Sequence, residues 1–265
     1  PGAGLLTPFA ASNTGVGMVR LNSTRRVEDL VLHFAPGVVT VGGRIQSGVI
    51  GPGCTNERYE DCRELAQFCI DSKLPLVIDA GALDLVKGLR DYADAHSRSL
   101  SRTILTPHHG EAARLLTQLG SPRSRADIDA DPAASAKELA LLTGAVILLK
   151  SSTTVCSYLH HDQGSRTQEI VSIPQDTPWA GVAGSGDVLA GAVAGIAAGF
   201  QARAERRQGN PSISEAECAT LASLGAWVHA QAAFRAGAGS RGHAHPIQAI
   251  DIARALPEII GGLCS

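Results

Sequence analysis

Three short apolar runs, each closed by a polar residue, limit most sharply what this chain can fold into. They are Pro75-Leu76-Val77-Ile78-Asp79, Thr103-Ile104-Leu105-Thr106, and Ala145-Val146-Ile147-Leu148-Leu149 before Lys150. None alternates polar with apolar residues, so each predicts a strand buried on both faces. Ile45 to Ile50 reads as a further strand, ending in the turn Gly51-Pro52-Gly53. Helical spacing lies between the runs. Glu57 to Ser72 carries Leu65, Phe68 and Cys69 on one face, and the segment after Pro107 carries Ala112, Leu115 and Leu116. Strand and helix in alternation predict an α/β fold, a central mostly parallel sheet with helices on both faces.

The rhythm changes after Lys150. Thr153 to Tyr158 and Glu169 to Ile173 read as antiparallel strands around a polar turn at Asp162-Gln163-Gly164. Three helices follow, Gly186 to Gly199, Ser214 to Arg235 and Ile247 to Ile260. Neither the charged linker Arg203 to Pro211 nor the Gly-rich loop Gly237 to His245 is long enough to divide domains. A chain of 265 residues with 44% hydrophobic and 18% charged residues suits one such domain. A net charge of −2 gives no electrostatic case for nucleic acid or an anionic membrane. The longest apolar stretch, Val188 to Phe200, is too short to span a bilayer, and Pro1 to Leu6 has no basic region typical of a secretory leader. The six cysteines form no CxxC pair, which argues against zinc and for free thiols in a reducing cytoplasm.

In parallel α/β sheets ligands bind beyond the C-terminal ends of the strands. Gly51-Pro52-Gly53, Asp79, Thr106-Pro107-His108 and Lys150 all fall there. Gly184-Ser185-Gly186-Asp187 adds a turn of small residues leading directly into an apolar helix. Glycines let successive backbone N–H groups converge, and a helix N-terminus adds positive potential, so a transferring phosphate suits the place. Asp187, in the first helical turn, is placed to accept a proton from a hydroxyl nucleophile. The short motif alone is equally a loop with a helix-favouring acid.

With Gly184-Ser185-Gly186-Asp187 beside Thr106-Pro107-His108-His109-Gly110-Glu111, the chain resembles the ADP/ATP-dependent NAD(P)H-hydrate dehydratases of the ribokinase-like superfamily. The resemblance runs along nearly the whole chain. Ala3 onward is similar to the family's first helix, Gly15 to Arg20 to its next strand, and Gly51-Pro52-Gly53 to its substrate turn. Asp79-Ala80-Gly81-Ala82-Leu83, Lys150-Ser151-Ser152-Thr153-Thr154 and Val228-His229-Ala230-Gln231-Ala232-Ala233 follow in the family's order. Ser151, His109 and Thr55 stand where the family usually has Gly, Pro and Gly. The family's first strand and the loop before Gly2-Ala3 have no counterpart. The expectation is therefore a single ribokinase-like domain over residues 1–265 lacking that strand, part of a longer protein. In many relatives an epimerase domain lies upstream.

The resemblance implies a repair reaction: dehydration of NADH hydrate and NADPH hydrate by phosphorylating the C6 hydroxyl and eliminating phosphate. ADP or ATP would be the phosphoryl donor, with Mg²⁺. It implies Gly186 and the loop Lys150, Ser151, Ser152, Thr153 and Thr154 against the nucleotide. Ala3, Gly53, His108 and Asp187 would surround the substrate, and Glu111 would lie near the phosphates or their Mg²⁺. Asp187 would be the base, with backbone N–H groups from Gly184, Ser185 and Gly186 stabilising the phosphoryl charge. A cytoplasmic homo-oligomer is expected. Two other functions remain open from sequence, a vitamin kinase of the same fold and a non-catalytic nucleotide binder.

Read locally, other assignments are open. Asp79 caps the next helix or serves substrate; Lys150 is an exposed strand-end charge or a phosphate contact; Glu111 favours a helix N-terminus or serves a metal. His109 reads as a solvated helix-start residue, and His160-His161 as a turn pair. His243 and His245 read as solvated. Trp179 stacks on adenine or forms a lid, and the helix near Trp227 is core or subunit interface.

Overall fold

The computed structural model describes residues 2–162, 165–207, 212–238 and 243–263. The predicted apolar runs form the sheet. Strands β3 (Gly48–Ile50), β4 (Leu76–Ile78), β5 (Thr103–Leu105) and β6 (Val146–Leu149) are parallel neighbours in that order, and antiparallel β7 (Thr153–Asp162) and β8 (Ser165–Pro174) extend the sheet beyond β6. A separate parallel pair, β1 (Val19–Arg20) and β2 (Val38–Val39), lies in the N-terminal part.

Successive strand side chains point to opposite faces, and here both faces are covered. Val77, Ile104, Val146 and Leu148 join one core with α1 (Gly2–Ser12), α8 (Ser185–Ala204), α9 (Glu215–Gly237) and α10 (Ala249–Leu263). Leu76, Ile78, Leu105, Ile147 and Leu149 join the other with α3 (Tyr59–Asp71), α4 (Val86–Ala95), α5 (His109–Gln118) and α7 (Pro132–Thr143). Burial on both faces is why these strands read as unbroken apolar runs. The helices carry local start signals. Ser214 and Glu217 form a reciprocal capping box at α9, with Ser214 N–H donating to Glu217 Oε2 over 2.8 Å. Asp131 caps α7 ahead of Pro132, and Gly144 ends it at φ +70°.

Helix α8 follows from its small residues. A Cβ on Gly191 would lie 2.2 Å from the Thr7 carbonyl oxygen, and one on Gly195 2.3 Å from Thr14 Oγ1. Only glycine lets α1 lie directly on α8, which fixes the start of α8 relative to the sheet.

Several expectations are corrected. The strand before Gly51 begins at Gly48, and Ile45 to Ser47 lie outside it. The expected strand over Gly15 to Arg20 is confined to Val19–Arg20. Of the expected face of α3, Cys69 is buried and Leu65 packs on the core, whereas Phe68 is exposed and Ala66 and Ile70 are buried in its stead. His160 and His161 lie within β7, paired with Thr167 and Arg166, rather than in a turn. Arg203 and Ala204 close α8 instead of opening a linker. Gln163, Gly164, much of the two polar loops and Cys264 fall outside the described residues. No helix of the described residues is long and apolar enough to cross a membrane.

Candidate active site

The parallel strands deliver their polar ends to one edge in sheet order: Gly51 to Gly53 after β3, Asp79 after β4, Thr106 to His108 after β5, and Lys150 after β6. Backbone bonds tie them together. Asp79 N–H donates to Ile50 O (3.1 Å), Thr106 N–H to Ile78 O (3.1 Å) and Lys150 N–H to Pro107 O (2.8 Å). At Gly51, φ is +109° and a Cβ would lie 1.7 Å from Asp79 O, so no other residue fits.

Lys150 is the hub. Its Nζ lies 2.6 Å from Asp79 Oδ1 and 3.8 Å from Glu111 Oε2. The Asp79 side chain is 3% exposed and that of Lys150 19%. This overturns both local readings: Asp79 makes no side-chain cap to the following turn, and Lys150 is not a solvated strand-end charge. A carboxylate so deeply buried needs its cation. A Cβ on Gly186 would lie 3.3 Å from Lys150 Nζ and 3.8 Å from Asp79 Oδ2, which brings the start of α8 onto the pair.

Gly184 is the N-cap of α8 at φ +89°. Ser185 N–H donates to Val182 O (3.1 Å), and the first bond of the helix runs from Val188 N–H to Gly184 O (3.1 Å). The amides of Gly186 and Asp187 therefore precede that ladder, the usual state of a helix's first turn. Thr7 Oγ1 donates to Asp187 O (3.2 Å), anchoring this turn to α1. Burial above all, and then the Asp79 charge, push the Asp187 carboxyl up to about 6, with Lys150 opposing them. That places a proton acceptor near neutrality beside a candidate anion site.

His108 and Glu111 form the α5 capping box. His108 Nδ1 accepts from the amides of Gly110 (3.0 Å) and Glu111 (3.2 Å), and Glu111 Oε2 accepts from His108 N–H (2.8 Å). The His108 side chain is 59% exposed, and its Nε2 lies 3.5 Å from Glu111 Oε1. His109 is not solvated: its side chain is 14% exposed, its Nδ1 contacts Asp129, and its Nε2 is buried without a partner. Gly53, at φ +67°, faces α1, where a Cβ would lie 3.2 Å from Ala3 Cβ. Ser151 and Ser152 follow Lys150 in a bend. Thr153 and Thr154 already belong to β7, and Thr154 is 2% exposed, so its side chain is withheld from any ligand. His243 and His245 are exposed as expected. The helix near Trp227 is core, with Cys218, Ala219, Leu221, Ala222, Ala226 and Val228 buried, while Trp227 itself is 39% exposed.

One residue escaped the sequence reading. His229, on α9 and 5% exposed, places Nε2 3.1 Å from both Ser185 Oγ and Ser185 O. Burial depresses its pKa to about 4, so it is neutral at physiological pH. The available signal was a histidine alone in an Ala-rich helix that nonetheless had to be buried.

Comparisons with known proteins give the family and the fold. The family model for NAD(P)H-hydrate dehydratase matches residues 1–253. A bifunctional NAD(P)H-hydrate repair enzyme of Mycobacterium tuberculosis is 34% identical over 203 residues, covering 75% of this chain and 38% of that protein. This chain thus spans well under half the length of that relative. Among solved structures, the ADP/ATP-dependent NAD(P)H-hydrate dehydratase of Bacillus subtilis, co-crystallised with ATP and Mg²⁺, superposes with a TM-score of 0.69 at 22% identity, covering 99% of this chain and 87% of that one. A ribokinase-like superfamily protein of Enterococcus faecalis gives 0.64 at 20% identity, covering 98% and 82%. The fold is ribokinase-like.

Proposed function

Since the chain belongs to the NAD(P)H-hydrate dehydratase family, we propose that it uses ADP or ATP, with Mg²⁺, to return NADH hydrate and NADPH hydrate to NADH and NADPH. The observation that carries this reading is Asp187, a carboxyl raised to about 6 in the first turn of α8, within the field of the Asp79–Lys150 pair.

The chemistry follows from the leaving group. Hydroxide departs poorly from C6 of the hydrated ring. Asp187 takes the hydroxyl proton, and the oxygen attacks the terminal phosphoryl group while the bond to the nucleotide breaks. The amides of Gly186 and Asp187, with the Lys150 ammonium, stabilise the charge on the transferring group. The ring nitrogen lone pair then expels phosphate, and loss of a C5 proton restores the dihydronicotinamide. Gly53, Ala3 and His108 line the substrate side, and Ser151 to Thr153 the nucleotide side, with Thr154 contributing only backbone. When bound, Mg²⁺ neutralises nucleotide phosphates. Among the described residues no group of three or more ligating side chains gathers for a metal, and an ion carried on phosphates needs none. Both Glu111 oxygens face the α5 cap, so Glu111 fits the ion's water shell better than direct ligation.

A cytoplasmic homo-oligomer and an accompanying epimerase activity belong to the same proposal. Trp227 and Phe234, both exposed one above the other on α9, suit a subunit contact.

The test is recovery of dihydronicotinamide absorbance from NADH hydrate with Mg²⁺ and either ADP or ATP, followed together with phosphate release. A stable phosphorylated product instead would move the assignment to a kinase, and nucleotide binding without turnover to a non-catalytic protein. Within the working enzyme, kcat/KM should fall tenfold per pH unit below a break near pH 6, because protonated Asp187 accepts nothing. A flat profile from pH 5 to 8 would remove Asp187 from the role of base.

His229 is a positioning residue for the turn. His229→Leu keeps the volume but removes the imidazole partner of the Ser185 hydroxyl, and kcat should drop about 10–100-fold through misplacement of Gly186 and Asp187. His229→Gln returns an amide donor and should recover most of the loss. Equal kcat in the two variants would reduce His229 to packing.

A further inference from the structure

Of the cysteines in the described residues, Cys69, Cys156 and Cys218 are fully buried, whereas Cys54 and Cys62 are partly exposed and their sulfurs lie 3.2 Å apart. Cys54 directly follows Gly53, and Cys62 sits in α3. The backbone of Cys54 is held on both sides: its N–H donates to Gly51 O over 2.9 Å, and its carbonyl oxygen packs so closely on Gly81 that a Cβ there would come within 2.9 Å. A thiol pair in contact, partly exposed and built onto the end of the Gly51–Gly53 turn, is not needed by the dehydration chemistry.

We propose that Cys54 and Cys62 form a reversible dithiol–disulfide couple, oxidised by hydroperoxides, that impairs the substrate side of the site when closed. Burial, together with the hydrogen bond and charge of Cys54, raises the Cys62 thiol well above its ordinary value, so Cys62 keeps its proton and suits the resolving rather than the attacking role. Cys54 is the attacking group. Its thiolate takes an oxygen from the hydroperoxide, the O–O bond breaks, and the other oxygen leaves as water or alcohol after gaining a proton. Cys54 is then a sulfenic acid. The Cys62 sulfur attacks the Cys54 sulfur, the S–O bond breaks, and hydroxide leaves with the Cys62 proton as water. The two thiols lose two electrons and two protons, and the O–O bond takes them up.

Closure must bring the sulfurs about 1 Å nearer, to a bond of ~2.05 Å. Gly53, at φ +67° and facing Ala3, is bonded directly to Cys54, so the strain of closure reaches the substrate side of the site. The nucleotide side lies after β6, with β4 and β5 between, and is spared. The effect on activity rests on the proposed dehydratase reaction; the disulfide itself does not.

The experiment treats the reduced full chain with stoichiometric hydrogen peroxide, alkylates free thiols, and digests with trypsin. Cleavage at Arg44, Arg58 and Arg63 puts the two cysteines in separate peptides, 45–58 and 59–63. A linked pair that dithiothreitol separates is expected. Turnover should show KM for the hydrate raised at least fivefold and restored by dithiothreitol, with nucleotide Kd changed less than twofold. In Cys62→Ser, Cys54 has no resolving thiol, so excess peroxide should carry it past sulfenic acid to sulfinic acid, a loss that dithiothreitol does not reverse. Unlinked peptides, or Cys54 driven to sulfinic acid while Cys62 is still alkylated, overturn the couple. A linked pair with unchanged KM overturns its effect on substrate. A reduced chain that forms the linked pair but never turns over hydrate sinks the dehydratase reading alone.

Discussion

Replacing Asp187 with Asn should lower kcat about 10³-fold, within the range that general-base catalysis supplies, and leave nucleotide Kd within about threefold. Asparagine has the same size and keeps the first turn of α8, so Gly186 and its amide stay where they are. Only the proton acceptor is lost. The same variant should be at least as stable as the parent at pH 7.5. The folded-state pKa of Asp187, about 6, is raised above its ordinary 3.8. For a carboxyl raised in this way, the stability contribution is fully present below the unfolded pKa and is lost as pH rises through the folded value. At neutral pH the ionised carboxylate therefore weakens the fold, and Asn removes that burden, as stability trades against activity at working sites. Single-turnover kinetics, isothermal titration with nucleotide and a thermal melt decide the matter. A variant that keeps a tenth or more of kcat, or that melts well below the parent, contradicts the assignment.

The sheet was legible because its strands are buried on both faces and its polar residues sit at strand ends, so Asp79, His108 and Lys150 could be placed on one edge before any coordinates. The turn at Gly184 stood out only beside Thr106 to Glu111 and the small residues of the helix after it, since Gly-Ser-Gly-Asp alone reads equally as a loop with a helix-favouring acid. What could not be read was the partner of each polar group. Asp79 as a helix cap and Asp79 as the counterion of Lys150 have the same local sequence, and only the adjacency of β4, β5 and β6 decides between them. His109 and His229 show the complement. One looked like a surface residue and is sealed against Asp129; the other looked like part of an Ala-rich core helix and reaches across to Ser185. Helices α2 (Arg25–Phe34), α4, α6 (Arg125–Ala130) and α7 were not singled out, since neither they nor their caps carry a site residue. The edges of β1 and β3 were misplaced because strands of two or three residues have too few side chains to establish a period.

Replacing Lys150 with Met should produce two losses that a second substitution pulls apart. The first is stability. Removing the ammonium 2.6 Å from Asp79 leaves a carboxylate with 3% side-chain exposure uncompensated, a penalty of about 3 kcal/mol and a fall in Tm of about 6–12 °C. The second is nucleotide affinity, which should weaken about 10–100-fold, the worth of a charge-assisted hydrogen bond to phosphate. Lys150 also opposes the upward shift of Asp187, so the pH break in kcat/KM should move to higher pH. Adding Asp79→Asn removes the orphaned charge. The double variant should regain most of the lost Tm while its nucleotide affinity stays weak, because Asn restores neutrality at Asp79 and supplies nothing to the phosphates. If the double variant also regains nucleotide binding, the original loss came from a disordered site rather than a missing phosphate contact. If the single variant binds nucleotide normally, Lys150 serves only as the counterion of Asp79, and the phosphoryl charge must rest on the α8 amides.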